Sequence, residues 1–236
     1  MNFDQDSHLF SLANYYEINY QSSFANRFIQ VRELFPKNDL ISALSKGQLK
    51  SKRWAHEKIH SIWGSNLGLV FILANWYGLL ANIMLESRKY SSLRIRGFDI
   101  DERANEIADQ LSRKWVIEDW TFKAVTADVT ELNLGDAKFA TINSKGVTVN
   151  MVEKPDLIIN TSCEHFSEKA FDKWFSSVPS GMRVVVQSNN YFDLPEHLNC
   201  VNSLEEFKSR FSLSKEIYAG ELELEKYTRF MLIGEK

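Results

Sequence analysis

The chain has 236 residues, 44% hydrophobic and 25% charged, with only 10 Gly and 4 Pro. That scarcity of Gly and Pro excludes linkers, collagen and low-complexity disorder, and the rest of the balance is that of a globular domain with a sizeable core. A net charge of −3 gives no general field for a polyanion. Cys163 and Cys200 are too few for a disulfide framework, and the start MNFDQDSHLF lacks the basic-then-apolar order of a secretory signal, so a cytoplasmic protein is expected. The glycines form no cluster of the kind that cradles phosphate, which argues against a nucleotide phosphate as main ligand.

Residues 1 to about 60 read as a helical N-terminal extension or lid. Within it Phe24, Phe28, Val31 and Phe35 fall at helical spacing, with Pro36 as the stop, and their aromatic face is read as core packing. The run Gln48 to Lys58 is locally basic through Lys50, Lys52 and Arg53; it reads as a solvated helix face that, with Trp54, can also close over a small anionic or nucleoside-like molecule. From Ser61 to Leu85 there is no charged residue, a length that can span a bilayer. Asn66, Asn75 and Asn82 interrupt it and no basic cluster follows closely, so it divides instead into a buried strand, Gly68–Ala74, and a helix from about Tyr77 to Glu86.

Strands and helices then alternate. Strand Leu93–Phe98 ends at Asp99, and Asp101 caps a helix whose Ala104, Ile107, Ala108 and Leu111 share one face. A strand near Thr121–Thr126 ends at Asp128, and a variable stretch through Asn150 has room for a hairpin. Strand Asp156–Asn160, a helix near Glu168–Phe175, strand Arg183–Gln187 and helix Ser203–Arg210 follow. Leu213–Tyr218 and Tyr227–Ile233 close the chain as two strands joined through Ala219-Gly220 to Leu224. This order demands an α/β fold of three layers, its seven-stranded sheet mostly parallel with an antiparallel last strand.

Ligands of such sheets bind beyond the carboxyl ends of the strands. Those positions hold Asn75-Trp76-Tyr77-Gly78, Asp99-Ile100-Asp101, Asp128-Val129, the segment Asn160 to His165, and Asn189-Asn190. A carboxylate closing the second strand suits a ribose, whose two hydroxyls it can accept from together. Asp128 can accept from an exocyclic amine or serve only as a cap. Cys163 is not read as a nucleophile, because nothing near it lowers a thiol pKa. No metal site is expected: His56 and His60 form an i,i+4 pair without the Glu beside the first His that zinc proteases carry.

With these strand ends, the stretch Val178 to Val186 and the terminal pair Phe211 to Lys236, the chain over residues 60–236 resembles the class I (Rossmann-like) S-adenosylmethionine-dependent methyltransferases. The resemblance implies S-adenosylmethionine as cofactor and a catalytic domain over 61–236. It assigns Ala74, Asn75, Trp76, Tyr77 and Gly78 to the methionine moiety, Asp99 and Ile100 to the ribose side, Asp128 and Val129 to adenine, and Asn160 to the reacting methyl group. Glu164 or His165 then takes a proton if the acceptor carries one, the alternative being a cap and first turn for the following helix. The first motif departs from the family's, keeping one glycine, Gly78, where several are usual. The expected reaction is methyl transfer to a small molecule through N or O by in-line displacement, with RNA or protein acceptors open. Aminocarboxypropyl or aminopropyl transfer, or donor cleavage, is the alternative on the same scaffold. A nicotinamide-dependent oxidoreductase would need a Gly-rich pyrophosphate turn that is absent.

Overall fold

The computed structural model describes residues 24–35, 39–118, 120–143 and 145–236; the helical reading of residues 1–23 and the stop at Pro36 lie outside them. The strands are β1 (Leu69–Leu73), β2 (Arg94–Asp99), β3 (Phe122–Thr126), β4 (Ala137–Ile142), β5 (Thr148–Glu153), β6 (Leu157–Asn160), β7 (Arg183–Asn189), β8 (Lys215–Glu223) and β9 (Thr228–Glu235). The helices are α1 (Phe24–Leu34), α2 (Leu40–Ala43), α3 (Lys46–Trp63), α4 (Leu79–Glu86), α5 (Glu102–Leu111), α6 (Arg113–Ile117), α7 (Glu168–Ser176) and α8 (Leu204–Ser209).

Seven strands form one sheet in the order β3-β2-β1-β6-β7-β9-β8, and β4 pairs with β5 as a separate antiparallel hairpin, the one the variable stretch had room for. β1, β2, β3, β6 and β7 are parallel, while β9 runs antiparallel to β7 and β8. The expected seven-stranded sheet is therefore present. Its last hairpin differs in one respect: β8 continues through Ala219 and Gly220 to Glu223, with the Tyr218 ring lying where a Gly220 side chain would stand. The glycine there makes room within a strand and does not mark a turn.

Side chains alternate between two faces, so each strand feeds two cores. Phe71, Leu73, Phe98, Ile158, Val184, Val186, Phe230 and Leu232 pack with Phe171 and Trp174 of α7, Phe207 of α8 and Phe139 of the hairpin. Val70, Ile72, Ile95, Ile159, Val185, Met231 and Ile233 pack with Ala55 and Ile59 of α3, Leu80 and Met84 of α4, and Ala108 of α5. α3 runs unbroken through residue 60, capped at its start by Ser45, whose hydroxyl accepts from Gln48 N. Outside that helix layer, Phe28 and Val31 of α1 and Leu40 and Leu44 pack against Tyr77, Leu79, Ile83, Ala104, Ile107 and Leu111.

α4 thus meets the sheet on one side and α1 and α2 on the other, and all eight of its residues are buried. A helix covered on both sides reads as apolar all round. That is the origin of the charge-free stretch Ser61 to Leu85, which the structure divides into the end of α3, β1, a turn and α4. Among the described residues no helix is long and apolar enough to cross a membrane. The first charge after the stretch, Glu86, is buried and paired with Arg27 of α1 at 2.6 Å.

The hairpin is tied to the sheet by a second buried pair. Arg96, 1% exposed on β2, donates from Nε and Nη2 to the two carboxylate oxygens of Glu153 at 2.8 Å each, and its Nη1 donates to Trp120 O at 2.7 Å. Breaking such a pair strands a buried charge. Glu153→Ala should cost about 3–5 kcal/mol in urea unfolding; a loss below about 1 kcal/mol, the value of a surface pair, would show that the hairpin is held by packing alone.

Candidate active site

The strand order reverses between β1 and β6, and the parallel strands on either side leave that crevice open at their carboxyl ends. The turn after β1 forms one wall. Ala74 and Trp76 adopt φ values of 48° and 46°, and Gly78 one of 72°. The left-handed conformation that glycine adopts freely is therefore present at three alternate positions, although one glycine supplies it. Gly78 N donates to Asn75 O at 2.9 Å, closing the turn, and Asn75 N donates to Phe98 O at 3.0 Å.

Asp99 fixes this turn from the next strand. Its Oδ2 accepts from Trp76 N at 2.8 Å and its Oδ1 from Asp101 N at 3.1 Å. Burial raises its pKa despite those hydrogen bonds. Each oxygen retains a further lone pair. Asn75 packs over Gly97 of β2, where any side chain would collide with it, and neither polar atom of its amide has a protein partner. Asn105 Nδ2 braces the ends of β2 and β3 by donating to Asp99 O and Thr126 Oγ1, both at 3.1 Å. Ile100 is 74% exposed at the tip of β2. One strand further out, Asp128 Oδ1 accepts from Thr130 N at 2.9 Å and caps a short 3-10 turn, Val129–Glu131. The Val129 side chain packs in the core.

Across the crevice, Asn160 pairs in register with Leu73 and is fully buried. Its Oδ1 accepts from Ser162 N at 3.0 Å and retains a second lone pair, and Nδ2 is the atom without a partner. The neighbouring backbone N–H needs an acceptor and thereby fixes which amide atom is oxygen. Asn160 accordingly offers a donor. Glu164 and His165 follow in a 3-10 turn, Cys163–His165, and the cap of α7 is Ser167, whose hydroxyl accepts from Ala170 N. Cys163 is buried, and burial pushes its thiol pKa well up.

Arg229 and His197 at this edge come from segments with no predicted role, and Lys52 comes from the basic run expected to close over a small anionic or nucleoside-like molecule. Glu164, 2% exposed, accepts at Oε1 from Asn189 Nδ2 at 2.7 Å and from Arg229 Nη2 at 3.0 Å, while its Oε2 has no partner. Burial would raise its pKa, but Arg229, His165 and Lys52 outweigh that and hold it below the usual range. Arg229 is the second residue of β9, and because β9 runs opposite to β7 it stands beside Asn189 at the end of β7. Lys52, read as part of a solvated face, points inward from α3 and donates to Thr161 Oγ1 at 2.7 Å. Burial, then the Arg229 cation, lower its pKa to about 7. His197 lies beside His165, with ring centroids 4.8 Å apart. A charged residue directly before the apolar string Phe230 to Ile233 was the available signal for Arg229, and the locally basic run was the signal for Lys52; for His197 there was none, since it sits in a polar run.

At the opposite edge of the sheet, a cavity of about 500 Å³ is lined by Met84, Arg88, Tyr90 and Trp115. His56 and His60 stand edge-on to Tyr90 beside it.

This strand order and these flanking layers recur in solved structures. Magnesium protoporphyrin IX methyltransferase (ChlM) from Synechocystis PCC 6803, solved with bound SAM, superposes over 93% of each chain with a TM-score of 0.56 at 14% identity. N-methyltransferase NodS from Bradyrhizobium japonicum WM9, in complex with S-adenosyl-l-homocysteine, superposes over 88% of this chain and 98% of its own with a TM-score of 0.56 at 13% identity. The chain has the Rossmann-like methyltransferase fold. No protein-family model and no curated protein sequence matches it.

Two outcomes test the site's local physics. If the turn after β1 is strained at Ala74, Ala74→Gly should raise stability by about 0.5–1 kcal/mol, and a fall in melting temperature would refute the strain. Lys52 holds its proton less tightly in the folded chain, with a pKa near 7 against 10.5 ordinarily. Between those values the unfolded chain carries the extra proton, so Lys52 makes stability rise with pH, by up to about 1.4 kcal/mol per unit. Below pH 7 both states are protonated and the contribution stays flat. Lys52→Met should remove that rise in urea unfolding between pH 7 and 10; parallel curves for the two proteins would overturn it.

Proposed function

We propose that the protein is an S-adenosylmethionine-dependent methyltransferase that moves a methyl group to the N or O of a small-molecule acceptor. The observation that carries this reading is the turn Ala74–Gly78, held in a glycine-like conformation by the Asp99 carboxylate at the switch point of a Rossmann-like methyltransferase fold. The neighbours solved with S-adenosylmethionine or its demethylated product support the same donor.

The side chains at the crevice fit that donor. Asp99 has lone pairs left for two ribose hydroxyls. The exposed face of Ile100 is an apolar surface for a ring, and Asp128 keeps a second carboxylate oxygen for an exocyclic amine. Asn75, Trp76, Tyr77 and Gly78 would line the methionine moiety, and the unpartnered Asn75 amide and Asn160 Nδ2 are polar atoms that a bound molecule would satisfy. The donor supplies a methyl group on a sulfonium with a good leaving group, so the protein's task is positioning and desolvation. Asn160 Nδ2 would orient the acceptor. His165, whose pKa burial lowers, is neutral at pH 7, so its imidazole can take the acceptor's proton. Glu164, held ionised by Arg229, stabilises the imidazolium that results.

The demethylated donor, S-adenosylhomocysteine, should raise the melting temperature, and Asp99→Ala should remove most of that shift. Stabilisation by NADH and none by S-adenosylmethionine or its product would overturn the reading. Incubation with S-adenosylmethionine alone, followed by mass spectrometry, separates the transfer of another donor fragment: rapid donor breakdown without an acceptor would replace methyl transfer by that chemistry.

A further inference from the structure

Glu164, His165 and His197 converge at the carboxyl edge from two separate segments. Each presents one ligand-capable atom, and these atoms lie within 4.8 Å of one another. The three side chains are also oriented. His165 Nδ1 is 3.2 Å from Glu196 O, and His197 Nδ1 is 2.6 Å from Tyr191 O. A backbone carbonyl only accepts, so each Nδ1 carries the hydrogen and each Nε2 is left with its lone pair.

Glu164 is arranged in the same way. Asn189 and Arg229 both donate to Oε1, and Cys200 Sγ donates to Asn189 Oδ1 at 3.3 Å, setting the amide that holds the carboxylate. Oε2 is left buried with no hydrogen-bond partner on a residue 2% exposed. An unsatisfied buried carboxylate oxygen is costly unless something outside the chain pairs with it.

Two imidazoles fixed by carbonyls through their other nitrogen, and a carboxylate steered by hydrogen bonds to one oxygen, form the outer arrangement that surrounds protein-bound metal ions. We propose that Glu164 Oε2, His165 Nε2 and His197 Nε2 bind a first-row divalent transition cation. The N₂O donor set suits Zn²⁺, Fe²⁺ or Co²⁺ and disfavours Mg²⁺ and Ca²⁺, which take oxygen ligands. Three protein ligands leave positions for water or for an oxygen of a bound molecule. Arg229 and Lys52 are the cations facing this cluster; Arg229 is engaged at Oε1, and Lys52 is hydrogen-bonded to Thr161. When an ion is bound, His165 is a ligand and does not take a proton, so the site stands independently of the base role suggested above and of the donor's identity.

The test uses tag-free, chelator-treated full-length protein titrated with Zn²⁺ by calorimetry and with Co²⁺ by visible absorption. One equivalent should bind, with d–d bands typical of nitrogen ligation and a raised melting temperature. His165→Gln and His197→Gln, both at incompletely buried positions that keep the fold by circular dichroism, should each weaken binding by at least about 100-fold, the upper end of what losing an outer-sphere partner costs. His56→Gln should bind as the parent does. Failure of the parent to bind either ion, or affinity in the His165 and His197 variants equal to the parent's, would overturn the site. S-adenosylhomocysteine binding, measured on the same samples, reports separately on the proposed methyltransferase reading.

Discussion

A carboxylate that closes one strand and holds the backbone beyond the next is the constraint on which the crevice depends. Asp99 accepts from Trp76 N, joining the tips of β1 and β2. Without that acceptor, the left-handed residues Ala74 and Trp76 would have no charge-assisted bond to offset their backbone strain. The turn then sets where α4 begins, and α4 carries apolar side chains to both the sheet and the N-terminal helices. One hydrogen bond thus connects the geometry of the crevice to the packing of two layers.

The layers were legible because periodicity reports burial. Every strand of the parallel series was visible as a short apolar run ending in a polar residue, and the structure moves those boundaries by one or two positions. The charge-free stretch was the ambiguous case, since a helix buried on both sides and a membrane span share one composition; the three asparagines within it resolved the choice correctly. The conformation of the first turn was not legible. Its glycines are missing, yet the backbone takes the shape they would have favoured, because hydrogen bonds from outside the turn impose it. Residue identity reports conformational preference, and here tertiary contacts overrule it.

The charged groups at the carboxyl edge were the least legible. Lys52 lies in a run that reads as solvated, and it is buried because Thr161 offers two oxygens to its ammonium. His197 lies in a connection without regular structure, close to His165 only through the fold. Asn160 was found by position, at the end of β6; the hydrogen bond its oxygen accepts from the chain two residues on, a local pairing typical of asparagine, was not legible.

The terminal hairpin has a further consequence. β9 places Phe230 and Leu232 in one core and Met231 and Ile233 in the other, with Arg229 as its second residue. Side chains alternate with period two, so a slip of a single residue would exchange both cores and withdraw the guanidinium from Glu164. Gly234, at the far end of the same strand, packs against Lys215 O with no room for a side chain and so resists such a slip. Strand register, set at one edge of the sheet by a missing methyl group, thereby keeps a guanidinium against a buried carboxylate at the other.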